Sequence, residues 1–165
     1  MAVQIMPTSE VFRVVEVIPT LDTLAYASAD RCGSILEFTG LLGPGKAGRV
    51  VISTIVDRDF QSSAQTLMLF SELPTIASAD NAALSIADAE MGKCMAVITF
   101  TNAYTTCTTA SINTVPILAS QQIAPYIYST NSAGTVWGLL RCGGSPTYTA
   151  AGLTIRLGVN LVAAF

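Results

Sequence analysis

The sequence predicts an all-β fold: a single, jelly-roll-like β-sandwich of eight or nine strands with one short helix. Apolar and β-branched runs of about 5 to 10 residues recur along the chain, separated by Gly, Pro, Asn, Asp and Ser. Helical periodicity is nearly absent. A chain of 165 residues is long enough to bury a core of its own, so we expect residues 1–165 to form one domain.

Nine segments carry the strand pattern. The predicted strands are 11–18, 34–41, 49–57, 66–72, 95–101, 115–118, 126–129, 136–141 and 153–162. Pro19 and Pro74 end strands because proline lacks the N–H of the strand ladder. Residues 43–45 (Gly-Pro-Gly) and 142–146 supply turns. In the last strand, apolar residues at the odd positions 153–161 alternate with Thr, Arg, Gly and Asn, which predicts one buried and one exposed face.

Three segments lie outside this pattern. Ser85 followed by Asp88 is a variant of the capping box and Gly92 is a C-terminal stop, so a helix of about two turns is predicted over 86–91. Residues 102–113 are rich in Thr with little apolar content, which predicts a solvated or partner-contacting loop. Residues 1–10 are interpreted as an N-terminal arm.

The composition limits the classes of partner. Charged residues form 12% of the chain, about half the usual share, so part of the surface is uncharged; coverage by other subunits would explain it, and a Thr/Ser-rich surface in water is the alternative. With a net charge of −3 and no basic stripe, we expect no direct nucleic-acid binding. Residues 1–6 do not have the features of a signal peptide, and no apolar run reaches the ~18 residues of a membrane span. We therefore expect synthesis in the cytoplasm.

The chain has four cysteines and no histidine. A zinc site would need Cys32, Cys94, Cys107 and Cys142 to converge as four thiolates, and their spacing contains no C-x-x-C pair. Buried free thiols are the favoured interpretation. We expect no disulfide in a reducing compartment.

Catalytic chemistry has little support. Without histidine, the commonest general base and the usual partner of a Ser or Cys nucleophile are absent. Residues 43–48 (GPGKAG) resemble a phosphate-binding loop only superficially, because the Lys-Ser/Thr ending and a following helix are missing. Asp57 and Asp59 place two carboxylates on one side of a strand end, which would suit a glycosidase pair or a calcium site; with Arg58 between them, a structural or ion-pair role is favoured. We predict no enzyme activity and no cofactor.

Two other features bear on binding. Tyr126, Tyr128 and Trp137 are candidates for a sugar-stacking platform, although strand aromatics are more often core or cross-strand pairs, and core is the favoured interpretation. The chain finishes on the apolar run 161–165 rather than a charged tail. That end is predicted to be docked on this domain's core or donated to a neighbour.

Three segments of the chain resemble a known group of proteins. VVEVIPTLDTLAYASAD (14–30), DNAALSIADAEMGKC (80–94) and SPTYTAAGLTIRLGVNLV (145–162) are similar to segments of small β-rich proteins encoded beside the major capsid proteins of tailed phages. The resemblance implies a cement or decoration protein on the capsid exterior of the virion, which forms homo-oligomers, most often trimers, and binds the major capsid protein across neighbouring capsomers. The Thr-rich segment 102–113 departs from the group, which leaves the contact surface open.

The candidate assembly contacts are drawn from the apolar C-terminal run and the Thr-rich segment. They are Leu161, Val162, Phe165, Tyr104 and Thr106. Two rival functions stay open: a carbohydrate- or receptor-binding module, which would expose Trp137 or the tyrosines in a row, and a β-rich hydrolase using Asp57 and Asp59.

Overall fold

The computed structural model describes residues 11–116 and 126–162 of the chain. In these ranges it has ten strands in two antiparallel sheets and one helix of 4 residues, which confirms the predicted all-β sandwich. The elements are β1 (Phe12–Val17), β2 (Leu36–Phe38), β3 (Ala47–Asp57), β4 (Gln65–Phe70), α1 (Asp88–Met91), β5 (Cys94–Phe100), β6 (Thr105–Thr106), β7 (Ser111–Pro116), β8 (Tyr126–Tyr128), β9 (Val136–Cys142) and β10 (Leu153–Val162).

The strand order is that of a rolled-up hairpin. One sheet has the order β1-β10-β3-β7-β6, with β8 also paired to β3, and the other has the order β2-β9-β4-β5. Eight main strands pair first with last (β1 with β10), second with second-last (β2 with β9), and so inward through β3 with β7 to β4 with β5. Rolling this hairpin into two layers produces a jelly roll.

The core lies between the two sheets and follows the alternation of the strands. On β10, Leu153, Ile155, Leu157 and Val159 are fully buried, as the sequence pattern predicts. They pack against inward side chains of the opposite sheet such as Leu36 within one cluster.

The connection between β4 and β5, residues 71–93, extends far from these two strands. Its middle pairs with residues 29–31; for example, the amide of Arg31 donates to the carbonyl of Ala82 at 2.8 Å. This connection therefore reaches a part of the chain that precedes β2.

Residues 29–32 in turn extend the four-stranded sheet beyond β9. The amide of Cys32 donates to the carbonyl of Leu140 at 2.9 Å, and β4 occupies the other edge of β9 along its whole length. Residues 71–93 thus start and end beside β4 and β5 and pair at the opposite edge of this sheet. Leu139, which alternation places on the outer face of the sheet, is fully buried, whereas Val97 on the outer side of β5 is 57% exposed.

The predicted loop 102–113 is wrong in part. It contains β6 and the first half of β7, and the predicted strand 115–118 therefore begins four residues earlier, at Ser111; residues 117 and 118 lie outside the described ranges. Ser111 and Asn113 occupy inward positions and are buried, and Asn113 Nδ2 donates to the carbonyl of Thr101 at 2.7 Å. Because these inward side chains are polar and form hydrogen bonds inside the sandwich, the segment lacks the apolar alternation by which a strand is recognised in the sequence.

The helix is shorter than predicted and begins differently. Its N-cap is Ala87, without a side-chain hydrogen bond, so the capping-box interpretation of Ser85 is wrong. The carboxylate of Glu90 instead accepts the amide of Thr75 at 2.9 Å and the ammonium of Lys93 at 3.1 Å. Gly92 is the C-cap, in right-handed rather than left-handed conformation (φ −61°).

Candidate functional site

One broad sheet surface faces outward on the six-stranded sheet. Val15 and Val17 of β1 pack against the core, so alternation turns Phe12 and Val14 outward, where each is 52% exposed. We call this outer surface the open face. The strand registers place on it the apolar side chains of Phe12, Val14, Ile52, Val56, Ile112, Tyr126, Tyr128 and Val162.

The apolar part of the open face is continuous across three strands. Gly158 lies between Val14 of β1 and Ile52 of β3 in the sheet register. A Cβ at Gly158 would lie 2.5 Å from Cγ2 of Ile52 and 3.0 Å from Cζ of Phe12. The side chains of Ile52 and Phe12 therefore both lie over this glycine of β10.

The few charged groups on the open face are paired within it. Nε of Arg156 lies 2.6 Å from the Glu16 carboxylate, and the Arg49 guanidinium lies 5.0 Å above the ring of Tyr126 and donates to its hydroxyl at 2.6 Å. Such exposed pairs contribute little to stability. Apart from these three charged side chains, the residues that the strand registers place on this surface are uncharged.

The prediction that Tyr126 and Tyr128 belong to the core is wrong. They are 49% and 51% exposed, and the side chain between them, Ile127, fills the core position of this three-residue strand. They do share one strand face, as predicted. Trp137 lies on the other sheet, half-buried opposite Glu37, so it forms no row with the tyrosines.

The predicted assembly contacts lie in separate parts of the structure. Val162 lies on the open face, whereas Leu161 is turned inward and packs against the core. Thr106 is exposed on β6, at the opposite edge of the sheet from β1. Tyr104 is half-buried and donates its hydroxyl to the carbonyl of Ser63 at 2.8 Å; burial raises the pKa of this phenol. Phe165 lies outside the described residues.

The two aspartates of the predicted carboxylate pair have different partners. Asp57 ends β3, and its buried carboxylate accepts the amides of Asp59 (3.0 Å) and Ser62 (2.7 Å). Burial raises the pKa of Asp57, and these two donors act in the opposite direction. Asp59 lies beyond the strand and accepts the amide of Thr149 at 2.6 Å. The strand ends at Asp57, so the period-2 alternation from which a common side was expected does not extend to Asp59.

A pocket of about 500 Å³ opens beside this loop. Asp59, Gln61, Thr147 and Thr149 contribute to its wall. Gln61 accepts the amide of Thr147 at 3.1 Å and donates to the carbonyl of Asp59 at 3.1 Å. These polar groups hold the loops together, because their hydrogen bonds are made to one another.

The cysteines differ in environment, and all four are free within the described ranges. Cys32 and Cys142 are fully buried, which confirms the buried-thiol prediction for them. Cys94 is half-buried and Cys107 is exposed, so the prediction is wrong for Cys107. Its position in the turn between β6 and β7 removes it from the core.

Over residues 11–116 and 126–162, no group of three or more His, Cys, Asp or Glu side chains is arranged to hold a metal ion. No helix in the part of the chain that the structure describes is long and apolar enough to cross a membrane. No protein-family model matches the sequence, and no curated protein matches it either.

Proposed function

We propose that the protein is a non-enzymatic structural protein of a tailed-phage virion: a capsid cement or decoration protein that self-associates, most often as a trimer, and bridges neighbouring capsomers on the capsid exterior. The observation that carries the proposal is the open face, an apolar and nearly uncharged surface on which Phe12, Val14, Tyr126 and Tyr128 are each about half exposed. Large apolar patches on soluble proteins commonly mark protein–protein contacts. The resemblance of residues 14–30, 80–94 and 145–162 to phage head proteins supports the capsid as the place of assembly.

The dimensions of the open face suit an interface. Its longest strand, β3, has 11 residues and is about 36 Å long, and the four strands β1, β10, β3 and β7 span about 20 Å. A stable interface buries roughly 800 Å² on each partner, which is comparable with this surface. The jelly-roll order also occurs in viral capsid proteins and in lectins, but this is analogy at the level of the fold.

We assign a second copy of the chain as the first occupant of the open face. A trimer needs a heterologous contact, in which one patch meets a different patch on the next copy. The Phe12 and Val14 edge would supply one patch, and the opposite edge, with exposed Thr106, would supply the other. A neutral hydroxyl such as that of Thr106 can pack against an apolar surface without burying an unpaired charge.

Val14→Glu tests this proposal. We expect the wild-type chain to have a trimer mass by light scattering and to pellet with empty capsid shells from the same source. Burying an unpaired carboxylate should weaken both associations at least about tenfold. Leu24→Glu is the control, since Leu24 is 67% exposed and lies off both sheets; it should behave as wild type. A wild-type monomer that ignores the shells, or a Val14→Glu variant that still assembles, would reject the proposal.

A second candidate is carbohydrate binding, favoured by the exposure of Tyr126 and Tyr128 on one strand face. The Arg49 guanidinium covers the ring of Tyr126, so Tyr128 is the freer stacking surface. A glycan array with the wild-type chain and Tyr128→Ala provides the test. This function predicts a bound glycan whose signal is lost in Tyr128→Ala and retained in Val14→Glu; an array without any bound glycan removes it.

A further inference from the structure

Two of the four cysteines meet inside the core. Cys32 lies in the stretch that precedes β2, Cys142 ends β9, and both side chains are 0% exposed within one core cluster. Each thiol is the largest influence on the pKa of the other, so the two side chains are close together. They are thus neighbours in space although they are far apart in the sequence.

The backbone around the pair is already fixed. The amide of Cys32 donates to Leu140 and the amide of Cys142 donates to Asp30, each at 2.9 Å. Arg31 and Arg141 stand opposite each other between these hydrogen bonds. The two cysteines are therefore diagonal neighbours on the same side of two adjacent strands, an arrangement that strand twist shortens on one diagonal. A disulfide requires this kind of approach, with Cβ atoms about 4 Å apart.

We propose that Cys32 and Cys142 are a disulfide site, in which a small oxidant such as hydrogen peroxide links the stretch before β2 to the end of β9. The Cys142 thiolate attacks one peroxide oxygen, the O–O bond breaks, and hydroxide leaves with a sulfenic acid on Cys142. The Cys32 sulfur then displaces the sulfenic oxygen, forms the S–S bond and releases water. In total two thiols and one peroxide give one disulfide and two waters.

The surroundings assign the roles of the two sulfurs. The proximity of Cys32 lowers the pKa of Cys142, while the proximity of Cys142 together with burial raises the pKa of Cys32. Nε2 of Gln65 also lies 3.8 Å from the sulfur of Cys142. Both effects make Cys142 the expected site of first attack, with Cys32 as the resolving thiol.

The other two cysteines are internal controls. The thiol of Cys94 donates to the carbonyl of Ala96 within its own strand, at 3.6 Å. Cys107 is exposed in a turn. Neither Cys94 nor Cys107 should enter an intramolecular cross-link.

Peroxide treatment of the purified reduced chain tests the site. After oxidation the protein is unfolded, its remaining thiols are alkylated, and intact mass and a non-reducing peptide map are recorded. We expect loss of two hydrogen atoms, two alkylatable thiols fewer, and one linked peptide pair containing Cys32 and Cys142. The closed loop of about 110 residues should raise the melting temperature by roughly 10 °C. Four thiols that all stay alkylatable, or oxygen added without a linked peptide, would overturn the proposal.

Variants separate the pair from the other thiols. Cys94→Ser/Cys107→Ser should retain the linked peptide and the rise in melting temperature, and Cys142→Ser should lose both. If Cys142→Ser does not fold, the peptide map of the double variant still shows whether Cys32 and Cys142 form the cross-link. This inference does not depend on the proposed function, because the cross-link is measured on the isolated chain.

Discussion

Asp57 is a buried carboxylate at the point where β3 leaves the sheet. Its two oxygens accept the backbone amides of Asp59 and Ser62, so it closes the loop that follows. Phe60 and Ser62 in this loop have positive φ values of 56° and 47°, which is uncommon for residues other than glycine. The carboxylate holds a backbone conformation that these residues would rarely adopt alone.

Asp57→Asn should lower the free energy of unfolding by about 1–3 kcal/mol, because an amide has one acceptor oxygen for two backbone donors.

The contribution of Asp57 to stability should also depend on pH in a definite direction. The folded-state pKa of Asp57 is raised above its ordinary 3.8, so its protonation favours the native state. That contribution is complete below about pH 3.8 and is lost as the pH rises through the folded pKa. Denaturant titrations of both proteins across this range measure it; a wild-type minus variant difference that grows with rising pH would contradict this assignment.

The structural role of Asp57 could be favoured from the sequence, but its partners could not be identified. Those partners depend on positive φ at Phe60 and Ser62, and the local sequence does not predict this backbone conformation. The exposure of Tyr126 was missed for a similar reason. A three-residue strand gives alternation without saying which side faces the core, and the position of Ile127 decides it.

Among the connecting segments, residues 71–93 have the greatest influence on the surface of the protein. Asp80 fixes this connection to the part of the chain before β2. Its carboxylate accepts the amides of Asp22 (2.7 Å) and Gly33 (2.6 Å) and the hydroxyl of Tyr26 (3.0 Å). One side chain therefore joins two segments that are about 50 residues apart in the chain.

Asp80→Asn should destabilise the protein by about 2–3 kcal/mol, since at least one of these donors loses its acceptor. It should also speed hydrogen exchange at the amides of Arg31 and Leu84, which hold the pairing of the connection with residues 29–31. Hydrogen-exchange mass spectrometry measures this local opening. Asp88→Asn, on the exposed surface of α1, is the control and should leave both amides protected. Unchanged exchange in Asp80→Asn would show that the connection is held by other contacts.

All nine strands predicted from the sequence are present, because each carries an alternating or continuous apolar run bounded by turn residues. The turn at residues 43–45 also has the expected chemistry: the amide of Lys46 donates to Gly43 at 3.0 Å, and Gly45 has φ of 60°. β6 and the start of β7 were missed because Ser, Thr and Asn dominate them. Ser85 was misassigned as a cap because the helix begins later, with Ala87 as its N-cap.

Across the two sheets, the sequence indicated a sandwich but could not show which outer surface is left bare. Alternation assigns Val14 and Leu139 equally to outer faces. Val14 is 52% exposed and Leu139 is fully buried, a difference that strand alternation does not predict. Tertiary coverage of an outer face depends on pairing between distant segments. The open face, on which the proposed assembly rests, could therefore be found only from the three-dimensional structure.

The pairing of β1 with β10 has a consequence for rearranging the chain. The amide of Leu161 donates to the carbonyl of Val11 at 3.0 Å, so the polypeptide enters and leaves the sandwich at one place. A short peptide joining those two points, with new ends opened in the exposed turn at residues 43–45, would give a circular permutant that retains every strand pair. In such a permutant β10 and β1 would become consecutive strands of a simple hairpin, and their pairing would no longer join segments that are far apart in the chain.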